Sequence, residues 1–208
     1  QIFFGLIFCV FLVFGLSRGT DVIVPFTGQV LNLAYWYFPF IIFVFMATTN
    51  SVNLTDGLDG LAAGSTFIVA LGLVLICFIT GHYSLAAFSA SLAGGCLGFL
   101  IYNRHPARIF MGDTGSMALG GAVAAVAALT GTELALVFIG GIYVLEAISD
   151  IIQVTSFKMT GRRVFLMAPL HHHFELKGWA EKKVVAFFWF LTLIFVILGI
   201  WGLRTPGL

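Results

Sequence analysis

The chain has 208 residues, of which 60% are hydrophobic and only 9% are charged. An ordinary soluble domain carries about 25% charged residues, so this composition excludes that class and predicts an integral membrane protein. The formal net charge is +1. Because basic stripes and interleaved aromatic and basic residues are both missing from the sequence, it gives no indication of nucleic-acid binding.

Seven apolar runs approach the length of about 20 residues that a helix needs to cross a bilayer. They cover residues 2–16, 33–50, 60–80, 85–102, 115–131, 134–155 and 183–203. We therefore predict an all-α polytopic bundle of seven transmembrane helices that forms a single domain over residues 1–208. The first run is short and the chain opens on Gln1, so we expect that an N-terminal portion of the natural protein is absent.

The segment 17–32 contains Pro25 and Gly28 together with alternating apolar residues. This pattern predicts a small hairpin outside the membrane.

The basic residues predict the orientation of the chain in the membrane. Seven crossings place alternate loops on opposite sides, and the side that holds residues 50–60 has eight basic residues. These are Arg104, Arg108, Lys158, Arg162, Arg163, Lys177, Lys182 and Lys183. The opposite side has Arg18 and Arg204, so the positive-inside rule predicts that residues 50–60 face the cytoplasm and the C-terminus faces out.

The same alternation brings three separate polar stretches to one membrane face. They are residues 50–60, 103–116 and 156–182. Their convergence predicts a functional site on that face.

The first polar stretch places Asp56 and Asp59 three residues apart, which puts them on one face if the segment begins a helix. Two carboxylates that close repel each other unless a cation lies between them, one is protonated, or one faces water. Gly57 and Gly60 allow a ligand to approach the backbone closely. The alternative interpretation is a polar turn between two membrane helices.

The second stretch adds a third carboxylate. Pro106 ends the preceding helix, and Asp113 or Thr114 is a candidate N-cap of the next one. Three acidic residues on one face also suggest a divalent cation, and Mg²⁺ suits their hard oxygen donors better than Zn²⁺. Since Mg²⁺ in proteins often binds substrate phosphates, a diphosphate substrate follows.

The third stretch contains His171, His172 and His173 directly after Leu170, between two pairs of basic residues. Adjacent side chains cannot all face one way, so we expect at most two of them to reach a common ligand. Histidines in cationic surroundings suit phosphate contact or acid–base chemistry at neutral pH. The alternative is a solvated loop at the membrane interface.

The sixth run carries Glu146, Asp150 and Gln153, which fall near one helix face. Ionisable residues within a membrane segment usually face the bundle interior or a cavity. Three pairs of glycines are expected to be sites of close helix packing. These pairs are Gly94 with Gly95, Gly120 with Gly121, and Gly140 with Gly141.

The three polar stretches together resemble those of the bacterial phospho-N-acetylmuramoyl-pentapeptide-transferase family, within the polyprenyl-phosphate N-acetylhexosamine-1-phosphate transferase superfamily. Residues 53–61 (NLTDGLDGL) and 110–116 (FMGDTGS) resemble superfamily motifs, and residues 168–179 (APLHHHFELKGW) resemble the muramoyl branch. The resemblance covers the whole chain and corresponds to the last seven of the family's ten transmembrane helices. The family's earlier part, with its pair of cytoplasmic aspartates, is absent here, which implies that this chain alone is inactive.

The resemblance implies a reaction of peptidoglycan synthesis. UDP-N-acetylmuramoyl-pentapeptide and undecaprenyl phosphate would give lipid I and UMP, with Mg²⁺ as cofactor, at the inner face of the bacterial cytoplasmic membrane. A homodimer is a further expectation, which the sequence does not specify.

The resemblance also implies roles for individual residues. The implied metal ligands are Asp113, Asp56 and Asn53. The implied catalytic residues are Asp56, Asp59, Asp113, His171 and His172, the two histidines being on the sugar-phosphate or peptide side. The implied substrate-binding residues are Asn53, Gly57, Leu58, Phe110, Gln153 and His173, with Phe110 stacked on uracil and Gly57, Leu58, Asp59 and Gln153 around the nucleoside.

Three other functions are alternatives to this reaction. A transferase of a related UDP-N-acetylhexosamine would share the superfamily motifs. A cation-coupled transporter could relay ions through its acidic residues, but transporters bind their ions near the bilayer midplane, whereas Asp56, Asp59 and Asp113 are predicted in loops. A receptor or scaffold has no use for acids clustered at one face.

Overall fold

A computed structural model describes residues 1–203, and most of these residues are helical. The α-helices are α1 Ile2–Val10, α2 Tyr37–Thr55, α3 Leu61–Ile79, α4 Tyr83–Asn103, α5 Gly112–Thr130, α6 Leu136–Ile139, α7 Gly141–Thr160, α8 Leu170–Leu176 and α9 Glu181–Leu203. The shorter elements are a π-helical turn Phe11–Gly15, the 3₁₀ turns Ala34–Trp36 and Glu133–Ala135, and the strands β1 Asp21–Ile23 and β2 Val30–Asn32. The predicted all-α membrane fold is confirmed.

Five helical segments are long and apolar enough to cross a bilayer. They are Ala34–Thr55, Leu61–Ile79, Tyr83–Asn103, Gly112–Thr130 and Glu181–Leu203, and they correspond to five of the seven predicted runs. The first predicted run forms a shorter apolar helix, Ile2–Gly15. Within the described residues the number of spans is therefore five, or six if a bent pair is counted, and the predicted number of seven is not confirmed.

The sixth predicted run is a bent pair rather than one straight helix. Glu133–Ile139 and Gly141–Thr160 meet at 82°. The break falls at Gly140, and sharp kinks commonly occur at Gly pairs. At Gly141 a Cβ would lie 2.5 Å from the Phe195 ring, so glycine is needed there for close contact with α9.

The predicted hairpin is present at one end of the bundle. Strands β1 and β2 pair antiparallel, with Val22 opposite Leu31. Arg18 lies 3.3 Å from the buried carboxylate of Glu133, and the Tyr37 hydroxyl donates to the same carboxylate at 2.7 Å. Arg204, which the sequence assigns to this side of the membrane, lies outside the described residues.

The three polar stretches meet at the other end of the bundle. The Gly60 N–H donates to the Asn103 side chain at 3.0 Å, which joins the first stretch to the second. The Asp59 N–H donates to Glu181 at 2.9 Å, which joins the first stretch to the start of α9. The predicted convergence is therefore observed.

The packing of α2 on α5 depends on the glycine pair 120–121. A Cβ at Gly120 would lie 2.7 Å from Thr49 Cα and 2.8 Å from the Thr48 carbonyl oxygen. At Gly94 and Gly95, in contrast, nothing else among residues 1–203 lies within 4 Å of an added Cβ. Close packing is confirmed at Gly120 and Gly141 but not at Gly94 and Gly95.

We expect Gly120→Ala to lower the free energy of unfolding by about 1–3 kcal/mol, because backbone atoms of α2 must move to admit the methyl group. The thermal unfolding midpoint in detergent measures this effect. Gly94→Ala is the matched control, which should keep the midpoint or raise it, because alanine favours an open helical position. Equal midpoints for both variants would contradict the packing argument.

Candidate functional site

A cavity of about 270 Å³ lies where α2 ends and α5 begins. We call it the acidic cavity. Seven of the predicted site residues line it. They are Asn53, Asp56, Gly57, Leu58, Asp59, Phe110 and Asp113.

The turn between α2 and α3 shapes one wall of the acidic cavity. Helix α2 ends at Thr55, Asp56 follows outside the helical conformation, and Gly60 adopts a φ of +78° before α3 begins. Glycine tolerates this left-handed conformation, which most residues avoid. The prediction that Asp56 and Asp59 share one helix face is therefore wrong, because both lie in the turn.

Asp113 lies in the first turn of α5, just after Gly112. It makes no capping hydrogen bond, and the N-cap position belongs to Met111. The interpretation of Asp113 or Thr114 as the N-cap is thus wrong. The exposed carboxylate of Asp113 remains available to the acidic cavity.

Asn53 joins α2 to α5 beside this carboxylate. Its amide nitrogen donates to Asp113 Oδ1 at 3.1 Å and to Ser116 Oγ at 2.9 Å. Ser116 Oγ in turn lies 3.1 Å from the Gly112 carbonyl oxygen, to which it donates. With its nitrogen so placed, the side-chain oxygen Oδ1 of Asn53 has no hydrogen-bond partner within residues 1–203, whereas the backbone oxygen accepts the Asp56 N–H.

Asp56 is half-buried and lines the same cavity. Burial, and after it the nearby negative charge of Asp113, together raise the pKa of its carboxyl to about 6. Each effect disfavours the ionised form, which a bound cation would restore. Two carboxylates and an amide oxygen are hard donors, so the residues present fit Mg²⁺.

Asp59 faces away from Asp56 toward a different set of residues. Its Oδ2 accepts the Ala107 N–H at 2.9 Å and lies 3.2 Å from His105 Nδ1. His105 Nδ1 is also 2.9 Å from Glu181 Oε2. The candidate ligand atoms of Asp59, His105 and Glu181 lie within 4.8 Å of one another, so this trio could itself hold a metal ion.

The three histidines lie on a short helix, α8. His171 is buried, with Nδ1 3.1 Å from Glu146 Oε1. His172 Nδ1 is 2.7 Å from Glu175 Oε2, and His173 Nδ1 accepts the Leu166 N–H at 3.1 Å. As predicted, they do not all face one way.

His171 is the histidine that reaches the wall of the acidic cavity. A Cβ at Gly57 would lie 2.2 Å from His171 Nε2, so the imidazole rests directly on the backbone of the turn. Neither His171 Nε2 nor Glu146 Oε2 has a hydrogen-bond partner in the described part of the chain. Glu146 faces the interior, as predicted for an ionisable residue in this run.

Gln153 lies apart from the acidic cavity. Its side chain accepts the N–H groups of Val164 and Phe165 at 3.0 and 2.9 Å and donates to the Phe165 carbonyl at 3.0 Å. With Asp150, it lines a separate cavity of about 350 Å³. The structure therefore does not place Gln153 beside the other predicted nucleoside residues.

Four residues of this region were not predicted from the sequence as site residues. Asn103 donates to the Ile109 carbonyl at 2.9 Å and lines the acidic cavity, while Ser116, His105 and Glu181 make the contacts described above. His105 and Glu181 lie in stretches of the sequence already marked as polar. Their contact with Asp59 spans up to 122 residues, and spacing alone gives no signal for it.

Comparison with known proteins identifies relatives of the chain. Residues 1–131 match the family described as glycosyl transferase family 4. Three curated relatives carry the name phospho-N-acetylmuramoyl-pentapeptide-transferase. The protein from Desulforamulus reducens is 56% identical over 204 residues, covering 97% of this chain and 61% of the relative.

The protein from Moorella thermoacetica is 54% identical over 202 residues, covering 97% of this chain and 63% of the relative. The protein from Thermoanaerobacter sp. is 58% identical over 185 residues, covering 89% of this chain and 58% of the relative. The chain thus spans about three fifths of the length of these relatives.

Proposed function

The chain belongs to glycosyl transferase family 4, and from this premise we propose that the protein transfers phospho-N-acetylmuramoyl-pentapeptide from its UDP-linked donor to undecaprenyl phosphate. The products would be lipid I and UMP. The observation that carries the proposal is the acidic cavity, where Asp56 and Asp113 meet at the ends of membrane helices. The names of the relatives support the donor substrate.

We assign the cofactor Mg²⁺ to the carboxylates of Asp56 and Asp113 and the side-chain oxygen Oδ1 of Asn53. When bound, Mg²⁺ would neutralise charge on the diphosphate. Asn53 holds Asp113 in place through its amide nitrogen, which leaves the carbonyl oxygen for the ion. Gly57 and Leu58 form the wall along which the donor would lie, and the absence of a side chain at Gly57 makes room for the His171 imidazole behind that wall.

The reaction exchanges one phosphoanhydride for another, so the residues have to position the two phosphates. His172 lies on α8, next to His171, with their ring centroids 4.2 Å apart. We assign His172 to the sugar-phosphate side and His171 to the support of the turn at Gly57. We place the cavity on the cytoplasmic face, because eight basic residues share its side of the predicted topology.

A direct assay tests the proposed function in the full-length protein. Purified protein is given undecaprenyl phosphate and either UDP-N-acetylmuramoyl-pentapeptide or UDP-N-acetylglucosamine, and UMP release is measured with and without Mg²⁺. UMP release from the muramoyl donor alone, dependent on Mg²⁺, is the expected result. Release from UDP-N-acetylglucosamine alone would indicate a related transferase, and no release from either donor would contradict the proposal.

We expect Phe110→Ala to weaken binding of uridine nucleotides by at least about fivefold, because stacking of a base on an aromatic ring contributes about 1–3 kcal/mol. Phe110 lines the acidic cavity and is 75% exposed, so its ring is free to stack. Isothermal calorimetry with UMP measures the affinity. Phe190→Ala, which removes an exposed ring far along α9, is the control, and equal affinities for both variants would contradict the assignment.

We expect His172→Ala to lower turnover by at least about 100-fold if the imidazole moves a proton during the reaction. The thermal midpoint and Mn²⁺ binding, followed by electron paramagnetic resonance, should stay close to wild type. His173→Ala is the matched control, since His173 contacts the backbone of Leu166. Full activity of His172→Ala at saturating substrate would indicate that α8 is only a structural connector. Loss of Mn²⁺ binding in His172→Ala would indicate that the metal site lies at this helix.

A further inference from the structure

A larger cavity, of about 650 Å³, lies between α4 and α9 at the same end of the bundle. We call it the basic cavity. Helices α4 and α9 each pack along α3, and the basic cavity occupies the cleft between their ends. Its volume falls in the range of small-molecule sites. It meets the acidic cavity only at Asp59, which lines both.

The basic cavity presents positive charge that the described residues do not neutralise. Arg104, Arg108 and Lys182 line it and are exposed, and none of their side chains makes an ion pair or hydrogen bond within residues 1–203. The one carboxylate in the lining, Asp59, already accepts the Ala107 N–H and contacts His105. A ligand that complements this lining therefore carries negative charge.

One wall of the basic cavity is apolar and continues along the membrane-crossing helices. Ile101 is 65% exposed, and Val185 and Trp189 form the wall on α9. One turn deeper on α4, on the same face as Ile101, Leu97 is also largely exposed. A small soluble anion would leave this wall uncovered, whereas a lipid would cover it with its acyl chains.

We propose that the basic cavity binds the headgroup of an anionic membrane phospholipid, whose acyl chains lie along α4 and α9. Basic pockets between transmembrane helices recognise anionic headgroups, and each Lys or Arg adds to the attraction. Asp56 and Asp113 do not line this cavity, so a lipid bound here stays outside the acidic cavity. The inference stands independently of the proposed transferase activity.

Native mass spectrometry of the full-length protein in detergent tests this assignment. The protein is titrated with dioleoyl phosphatidylglycerol or with dioleoyl phosphatidylcholine. For the triple variant Arg104→Gln, Arg108→Gln and Lys182→Gln, we expect the Kd for phosphatidylglycerol to rise at least about tenfold. The triple control Arg162→Gln, Arg163→Gln and Lys177→Gln removes the same charge elsewhere at this end and should change that Kd less than about twofold.

A second variant fills the basic cavity without changing its charge. Ala186→Trp places an indole among the lining residues, and we expect it to weaken phosphatidylglycerol binding as strongly as the triple variant does. This variant keeps the test decisive if the triple variant fails to fold, which the thermal midpoint reports. Unchanged binding in both variants, or an equal loss in the triple control, would overturn the assignment.

Competition identifies the source of the anion. Inorganic phosphate at millimolar concentration should not displace phosphatidylglycerol, since it cannot cover the apolar wall. Complete displacement by inorganic phosphate would indicate a soluble anion, and preferential displacement by undecaprenyl phosphate would indicate the acceptor lipid. Either result would overturn the assignment to a phospholipid.

Discussion

Asp113→Asn should abolish turnover in the full-length protein while the fold survives. Asparagine keeps the volume of the side chain but removes the charge that a divalent cation needs, and metal-ion stabilisation of developing charge is worth several kcal/mol. A loss of about 3–4 kcal/mol corresponds to a rate reduction of about 10³-fold. Steady-state UMP release at raised Mg²⁺ measures it.

The fold should survive because Asp113 makes no capping hydrogen bond in α5. Asp21→Asn is the matched control, since Asp21 contacts Asn32 in the hairpin at the far end of the bundle. Activity of Asp113→Asn within about threefold of wild type would show that Asp113 is not a metal ligand. Thermal midpoints of both variants close to wild type would separate lost catalysis from lost structure.

His171→Ala should produce the largest loss of stability among the variants considered. The imidazole is 1% exposed and contacts Glu146, which is fully buried. Removing one partner of a buried pair typically costs about 3–5 kcal/mol, because the other partner loses its compensating contact. The unfolding midpoint in detergent should fall well below that of wild type.

A double-mutant cycle isolates the contact between these two side chains. Glu146→Ala combined with His171→Ala should cost less than the sum of the single variants, because residues in direct contact are coupled. His173→Ala, one residue along α8, is the control and should remain near wild type. Additive losses would mean that His171 acts through packing against Gly57 rather than through Glu146.

These expectations also separate structural support from chemistry. His171 supports the turn that carries Asp56, so its loss should reduce both stability and turnover. His172 contacts only Glu175 among the acidic residues of the described chain, so its loss should reduce turnover alone. The two adjacent histidines can therefore be told apart, because His171→Ala should lower both the unfolding midpoint and turnover, whereas His172→Ala should lower turnover only.

The sequence by itself determined the membrane class, the hairpin between residues 17 and 32, and the meeting of three polar stretches at one end of the bundle. Hydropathy and helix length are local properties, because a bilayer requires about 20 apolar residues whatever their neighbours are. Alternating crossings then fix which loops share a side. Seven of the predicted site residues line the acidic cavity for this reason.

Only the tertiary structure decided which polar groups meet within that end. The turn at Gly60 directs Asp56 toward Asp113 and Asp59 toward His105, although the two aspartates are three residues apart. The bend at Gly140 and the contact of His171 with Glu146 likewise depend on distant partners. The physical reason is that side-chain directions in a turn follow from backbone dihedrals and from packing across the bundle, which residue spacing does not encode.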